Sequence, residues 1–199
     1  MPRISLTDFV DIVVKSGTPK ATKVVQIKQR QDYEPAADFY KPLREFIVGT
    51  HRKGGSRFVP AEVLAPLTDP KKLANYPAAV DGYLRWWGSK HLSWFEPPTG
   101  VFSGHGVDVA VNPELGLVVN GVPHVIKLYF KADPLSKLRV DIVTHLMEVA
   151  LGSRPADAKS MAVLDVRRAK LVCSATPSPR VHAALTAELA YVAALWELL

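Results

Sequence analysis

The sequence predicts an α+β fold, with a helical N-terminal part packed on a mixed sheet. Three observations carry this. Up to about residue 88 the apolar residues recur at helical spacing. From about residue 91, Gly, Pro and Asn punctuate short runs rich in β-branched residues. Beyond Asp133, helical and strand patterns alternate. Helices first, then a strand block, then a helix, two strands and a helix is the order of an α+β or mixed-sheet domain.

Each element has a local reason. Ser5 can cap a short helix carrying Phe9, Val10, Val13 and Val14, and Gly17 stops it. Residues 20–31 are polar and basic and fit either a helix or an extended segment. Glu34-Pro35 opens a clearer helix, in which Phe39, Leu43, Phe46 and Ile47 share one face. His51, Arg52 and Lys53 crowd its last turn, where cations complement the dipole, and Gly54-Gly55 ends it. Asp69-Pro70 reads as an N-cap followed by Pro at the first helical position. Pro77 reads as a restart, leading through Val80, Tyr83, Leu84, Trp86 and Trp87 to Gly88.

The strand block follows. Residues 93–102 are interrupted by Pro97-Pro98. Residues 107–111 and 115–119 read as strands joined by an Asn112-Pro113-Glu114 turn, and Asn120-Gly121 signals a hairpin into residues 125–131. Asp133-Pro134 is expected to open a helix that ends at Gly152, with Leu138, Ile142, Leu146, Val149 and Ala150 facing inward. Residues 161–166 and 170–173 form a hairpin around Arg167-Arg168. Ser178-Pro179 caps the last helix, whose Leu185, Leu189, Val192, Leu195, Trp196 and Leu199 make one apolar face for the core or for a second copy in a homo-oligomer. The natural division runs between residues 56 and 69, giving a basic helical part over 1–60 and a mixed-sheet core with its C-terminal helix over 61–199.

Composition narrows the function. Hydrophobic residues make up 48% of the 199, enough for a core, so a mostly disordered chain is excluded. No apolar run is long enough to span a bilayer. Asp8, Asp11 and Lys15 break up the apolar stretch a signal peptide would need, and a lone cysteine fits a reducing compartment, so a cytoplasmic location is expected. Cys173 sits in a strand-like run and is expected to be a small buried hydrophobe.

The formal charge is +6, and +5 of it falls within residues 20–57, where nine basic residues face four acids. Tyr33, Phe39 and Tyr40 are interleaved with them. Such a cluster suits phosphates, so DNA or RNA is a candidate partner. Its sharpest piece is the run from Thr50 to Arg57, where Arg52, Lys53 and Arg57 surround two glycines that let a backbone approach an anion. The Walker order of Gly-Lys-Ser/Thr is missing, which argues against a nucleotide-hydrolysing loop.

Strand alternation suggests a chemical face. Asp108 points opposite to Val107, Val109 and Val111, while Lys127, Tyr129 and Lys131 lie opposite to Ile126, Leu128 and Phe130. One sheet face would then carry an Asp and two Lys. A carboxylate can hold a divalent metal, and a Lys can orient water or stabilise phosphate charge.

This layout resembles the core of the PD-(D/E)XK nuclease superfamily, over about half the chain. The resemblance implies an αβββαβ core and Mg²⁺-dependent phosphodiester hydrolysis. Asp108 would stand for the family's Asp and Lys127 or Lys131 for its Lys. The acid of the (D/E)xK tripeptide is absent, since Val125 and Tyr129 precede the two lysines at that spacing. Glu96 or Glu114 would have to complete the metal site beside Asp108. The alternative is a non-catalytic interaction protein that uses an exposed sheet face or the last helix. A third reading places a small-molecule pocket near Trp86 and Trp94. No Cys/His spacing supports zinc, and His145 reads as a packing residue within an apolar helix.

Overall fold

A computed structural model describes residues 2–30, 38–54, 58–152, 160–173 and 178–198. Over these the fold is α+β. In chain order the elements are β1 (Arg3–Ser5), α1 (Leu6–Val13), α2 (Gly17–Lys28), α3 (Lys41–Arg52), α4 (Pro60–Leu64) and α5 (Pro70–Trp87). Next come β2 (Leu92–Phe95), β3 (Gly100–Gly104), β4 (Val107–Val111), β5 (Leu115–Val119) and β6 (Val122–Tyr129). α6 (Lys137–Leu151), β7 (Ser160–Asp165), β8 (Lys170–Cys173) and α7 (Pro179–Leu198) complete the described chain. None of these helices is long and apolar enough to cross a membrane.

The strands form two sheets rather than the single expected one. The larger has the order β2-β5-β6-β7-β8, and the smaller β1-β4-β3. In the large sheet β2, β5 and β6 are antiparallel neighbours, and α6 carries the chain across to β7, which runs parallel to β6. The β3–β4 hairpin is inserted between β2 and β5 and leaves their sheet. Prolines mark both exits: Pro97-Pro98 follow β2 and Pro113 follows β4, and proline has no N–H to continue a ladder. The hairpin closes on His105 and Gly106, both at positive φ (50° and 75°), the geometry of a two-residue type I′ turn. Asn120-Gly121 closes β5 onto β6 in the same way, as the sequence predicts. β1, too short to leave a periodic signal, adds parallel to β4.

The large sheet is covered on both faces. Leu115, Leu117, Ile126, Leu128 and Leu164 pack against α3, α4 and α5, meeting Leu43, Ile47, Val80, Tyr83 and Trp86. On the opposite face Val125, Tyr129, Met161 and Val163 meet α6, and the same cluster takes in α1, α2, α7 and the inner face of the small sheet. Both clusters draw residues from 1–60 and from 61–199. Among the described residues the large sheet therefore has no open face, whereas the outer face of the small sheet, with Val101, Ser103 and Asp108, stays accessible.

Several helix details differ from expectation. α5 runs unbroken through Pro77 instead of restarting there. An interior proline costs about 3 kcal/mol. Tyr76, Val80, Tyr83 and Trp86 are all buried on one side of this helix, and each contributes about 1.5–3 kcal/mol, so burial wins. The residue four before Pro77, Leu73, is exposed, so water can satisfy its carbonyl. α6 starts later than predicted: Ser136, not Asp133, accepts the capping hydrogen bond, from the Arg139 N–H at 3.3 Å. Its buried face is Val140, Ile142, Val143, Leu146 and Met147, whereas Leu138 and Val149 are exposed. The expected start of α3 at Glu34-Pro35 lies outside the described residues, and the helix begins at Lys41. Cys173 is exposed because it ends β8, an edge strand.

Candidate functional site

The expected catalytic residues are not brought together. Asp108 stands on β4 in the small sheet. Its neighbours Val107, Val109 and Val111 are buried in the core, so its side chain leaves on the opposite face, where Ser103 Oγ donates to it at 2.6 Å. Lys127 stands on β6 in the large sheet and donates to Glu114 at 2.5 Å and to the Asn112 carbonyl at 3.1 Å. Lys131 lies beyond the end of β6 and donates to both carboxylate oxygens of Asp11, at 2.8 and 2.9 Å. The single face carrying one Asp and two Lys is thus corrected: period-two alternation reports which side of a strand a residue takes, but not which sheet the strand joins.

The three candidate metal ligands are equally dispersed. Glu114 is mostly buried and its two oxygens are engaged, one by Lys127 and the other by the Leu128 N–H at 2.8 Å. Pairing between β5 and β6 begins at Leu115 with Ile126, so the Leu128 N–H lies past the end of β5 and takes a carboxylate in place of a strand carbonyl. Glu114 therefore seals a sheet terminus. Glu96 follows β2 and is ion-paired with Arg52 at 2.6 Å, both side chains being well exposed. Among the described residues no three His, Cys, Asp or Glu side chains form a group that could hold a metal ion. Asp108, Glu114 and Glu96 do not fit a shared Mg²⁺, and no hydrolytic step follows from them.

The basic cluster of residues 20–57 is divided by the fold. Lys20, Lys23, Lys28 and Arg30 belong to α2 and its C-terminal end, whereas Lys41, Arg44, Arg52 and Lys53 belong to α3 and its end. α2 packs against α1 and α7, within the cluster on one side of the large sheet, and α3 belongs to the cluster on the other side. Many of these charges also meet partners within the chain. Lys20 binds Glu188 at 2.5 Å, Arg30 grips both oxygens of Asp8, Lys28 donates to the Trp196 carbonyl, and Arg44 binds Asp38. Charge contiguous in sequence is therefore not one patch in space. Arg57 lies outside the described residues.

The end of α3 also carries cations at the surface. Arg52 and Lys53 are exposed there, and the Arg52 guanidinium sits 5.5 Å above the Trp94 ring on edge strand β2. Trp87 lies behind, with its ring 4.6 Å from that of His51. His51 is buried and bonded to the Tyr83 hydroxyl, which is itself fully buried. Burial lowers the His51 pKa to about 4 and raises that of Tyr83 well above its ordinary value, so both are neutral at pH 7. The helix end is thus held by a neutral aromatic platform, and it carries its cations outward. Trp86, by contrast, is buried in the core, and Trp94 packs partly buried at the edge of the same cluster.

The sequence reading missed the strongest charge cluster. Asp11 on α1 accepts from Lys131 and, at 2.7 Å, from Arg139 on α6. Burial pushes the Asp11 pKa up, but the hydrogen bonds and charges of Lys131 and Arg139 outweigh it and leave the carboxyl below its ordinary value. Asp11 was visible only as a charge interrupting an apolar run, and its partners lie over a hundred residues away. Of the apolar row of α7, Leu185, Leu189 and Val192 are buried in the chain's own core and Leu195 and Trp196 are partly buried against it, while Leu199 lies outside the described residues. No family model matches this chain, and neither the curated proteins nor the solved structures contain a significant match to it.

Proposed function

We propose that the protein is a non-catalytic nucleic-acid binder that docks a single strand on the end of α3 and edge strand β2. The observation that carries this reading is Arg52 stacked over Trp94 with Lys53 beside it. Single strands are held by cations that track phosphates and by aromatic faces that stack bases, and the second contact tolerates any sequence. The ion pair between Arg52 and Glu96 does not stand in the way. Both side chains are more than half exposed, at 57% and 66%, and such pairs contribute only about 0–1 kcal/mol. A phosphate can replace that carboxylate.

Phosphodiester hydrolysis is not part of the proposal, because the acids it would need are dispersed and engaged. The test is titration of the protein with short single-stranded DNA and RNA, read by oligonucleotide anisotropy and by tryptophan fluorescence. Binding that weakens steeply with salt is expected, with quenching on saturation. Arg52→Ala/Lys53→Ala should weaken binding about tenfold, and Trp94→Ala should do the same while removing part of the quenching, since one stacked base is worth about 1–3 kcal/mol. Absence of binding to either polymer at low salt would overturn the reading.

A further inference from the structure

Two histidines meet where α6 packs against α7. His145, on α6, is 5% exposed, while His182, on α7, reaches solvent. His145 Nε2 and His182 Nδ1 stand 3.3 Å apart, with the ring planes inclined at 58°. The rings are therefore not stacked; they present nitrogen to nitrogen. Two imidazole nitrogens bound at about 2.0–2.1 Å to one tetrahedral ion stand about 3.3–3.4 Å from each other.

The surroundings favour the neutral, ligating form. Burial, and then the neighbouring His182, hold the His145 pKa below its ordinary value, so its lone pair is free of a proton at neutral pH. Glu148, one turn further along α6, acts on the same ring in the sense that favours positive charge. His145 Nδ1 has no hydrogen-bond partner among the described residues, whereas Nε2 shares a hydrogen bond with His182 Nδ1, so an ion that takes both nitrogens replaces that hydrogen bond and leaves the His145 ring proton on Nδ1. The Phe102 and His182 rings meet in a T-shaped contact, with centroids 5.9 Å apart and planes at 88°, which restricts the His182 ring.

We propose that His145 and His182 form a binding site for a borderline transition-metal ion such as Zn²⁺ or Ni²⁺, clamping α7 onto α6. Imidazole suits these ions rather than Mg²⁺ or Ca²⁺. No third His, Cys, Asp or Glu among the described residues completes a group with the pair, so water supplies the remaining positions on the exposed His182 side. The site is independent of the nucleic-acid surface: α7 and α3 belong to the clusters on opposite faces of the large sheet.

The experiment is a thermal melt of the full chain at pH 7.5 with and without Zn²⁺ or Ni²⁺, paired with a calorimetric titration. The expected result is one equivalent bound and a melting temperature raised by about 3 °C or more, because a chain of this size gains roughly 2–4 °C per kcal/mol. Both effects should disappear in His182→Ala and in His182→Gln, whose metal-free melting temperatures stay near that of the parent because position 182 is exposed. They should persist in His105→Ala, which alters a histidine of the β3–β4 turn. No shift with either ion, or a shift that survives both His182 variants, would overturn the proposal.

Discussion

The two faces of the large sheet are built from different chemistry. Under α3, α4 and α5 the core is aromatic, with Phe58, Tyr76, Tyr83, Trp86 and Phe130 in one cluster. Its buried polar groups there are neutral: the Tyr76 hydroxyl donates to the Phe39 carbonyl at 2.6 Å, and Tyr83 is paired with His51. The other face is mainly aliphatic, and its helices are tied at the rim by charge. Asp11 joins α1 to Lys131 and Arg139, Asp8 joins α1 to Arg30, and Lys20 joins α2 to Glu188 of α7. Aromatic rings offer large areas and polar tips that can be satisfied inside a core. Most charges remain at the rim because their desolvation is costly, and the buried Asp165 of β7 is accompanied by Arg168. The same sheet is thus held on one side by shape and neutral hydrogen bonds, and on the other by packing plus ion pairs.

The largest effect is expected where the aromatic side is closest. Gly82 lies on the buried face of α5, and a Cβ there would come within 2.1 Å of the Val166 carbonyl oxygen and 2.8 Å of that of Arg167. These are backbone atoms at the end of β7, so no side-chain rotation relieves the clash. Gly82→Ala should therefore destabilise the protein by about 3–5 kcal/mol despite the better helix propensity of alanine. Urea denaturation measures this directly. A loss of less than about 1 kcal/mol would mean that α5 can slide on the sheet and that shape does not control this side.

On the aliphatic side the sharpest probe is Asp11→Asn. It keeps the volume but leaves Lys131 and Arg139 facing each other without a carboxylate. Removing one partner of a buried pair costs about 3–5 kcal/mol. Lys131 is 42% exposed, so water recovers part of this and about 2–3 kcal/mol is expected. The loss should shrink at high salt, which screens the repulsion between the two cations. Gly82→Ala should show no such salt dependence. Equal salt sensitivity in the two variants would erase the distinction between the faces.

How far the sequence makes this legible depends on the range of each interaction. The Ser5 and Asp69 caps, the Asn120-Gly121 hairpin and the β7–β8 hairpin are set by residues within a few positions of one another, and all stand where the sequence places them. The prolines after β2 and β4 mark where strands break off, but not which strands then pair: β4 takes β3 and, about a hundred positions away, β1, whereas β5 takes β2 and β6. That division sets Asp108 and Lys127 in different sheets. The charge cluster failed for a related reason. Composition records that nine cations lie within residues 20–57, but not that α2 and α3 join separate core clusters on opposite sides of a sheet formed later in the chain. The pairing of His145 with His182 was likewise out of reach, because each reads alone as one polar residue in an apolar helix.

The smallest effect is a pH dependence to which the aromatic side contributes through His51 and the other side, in the same direction, through His145. Burial holds the His51 pKa at about 4, below the ordinary 6.5. A histidine whose folded pKa is depressed binds fewer protons than the unfolded chain between those two values. Stability therefore falls as pH drops from about 6.5 to about 4, and is complete above that window. At about 1.4 kcal/mol per pH unit the ceiling is about 3 kcal/mol, and relaxation around the charged ring reduces it to roughly 2. His51→Gln should flatten this part of the profile while lowering stability at pH 7.5 through the lost contact with Tyr83. Asp11 behaves in the opposite order: its depressed carboxyl keeps its contribution through mild acid and loses it only below the ordinary carboxylate range. Denaturation midpoints at pH 7.5, 5 and 3 separate the two. A parent protein as stable at pH 4.5 as at pH 7.5 would show that the His51 site admits a proton, and that the aromatic side is not closed to charge.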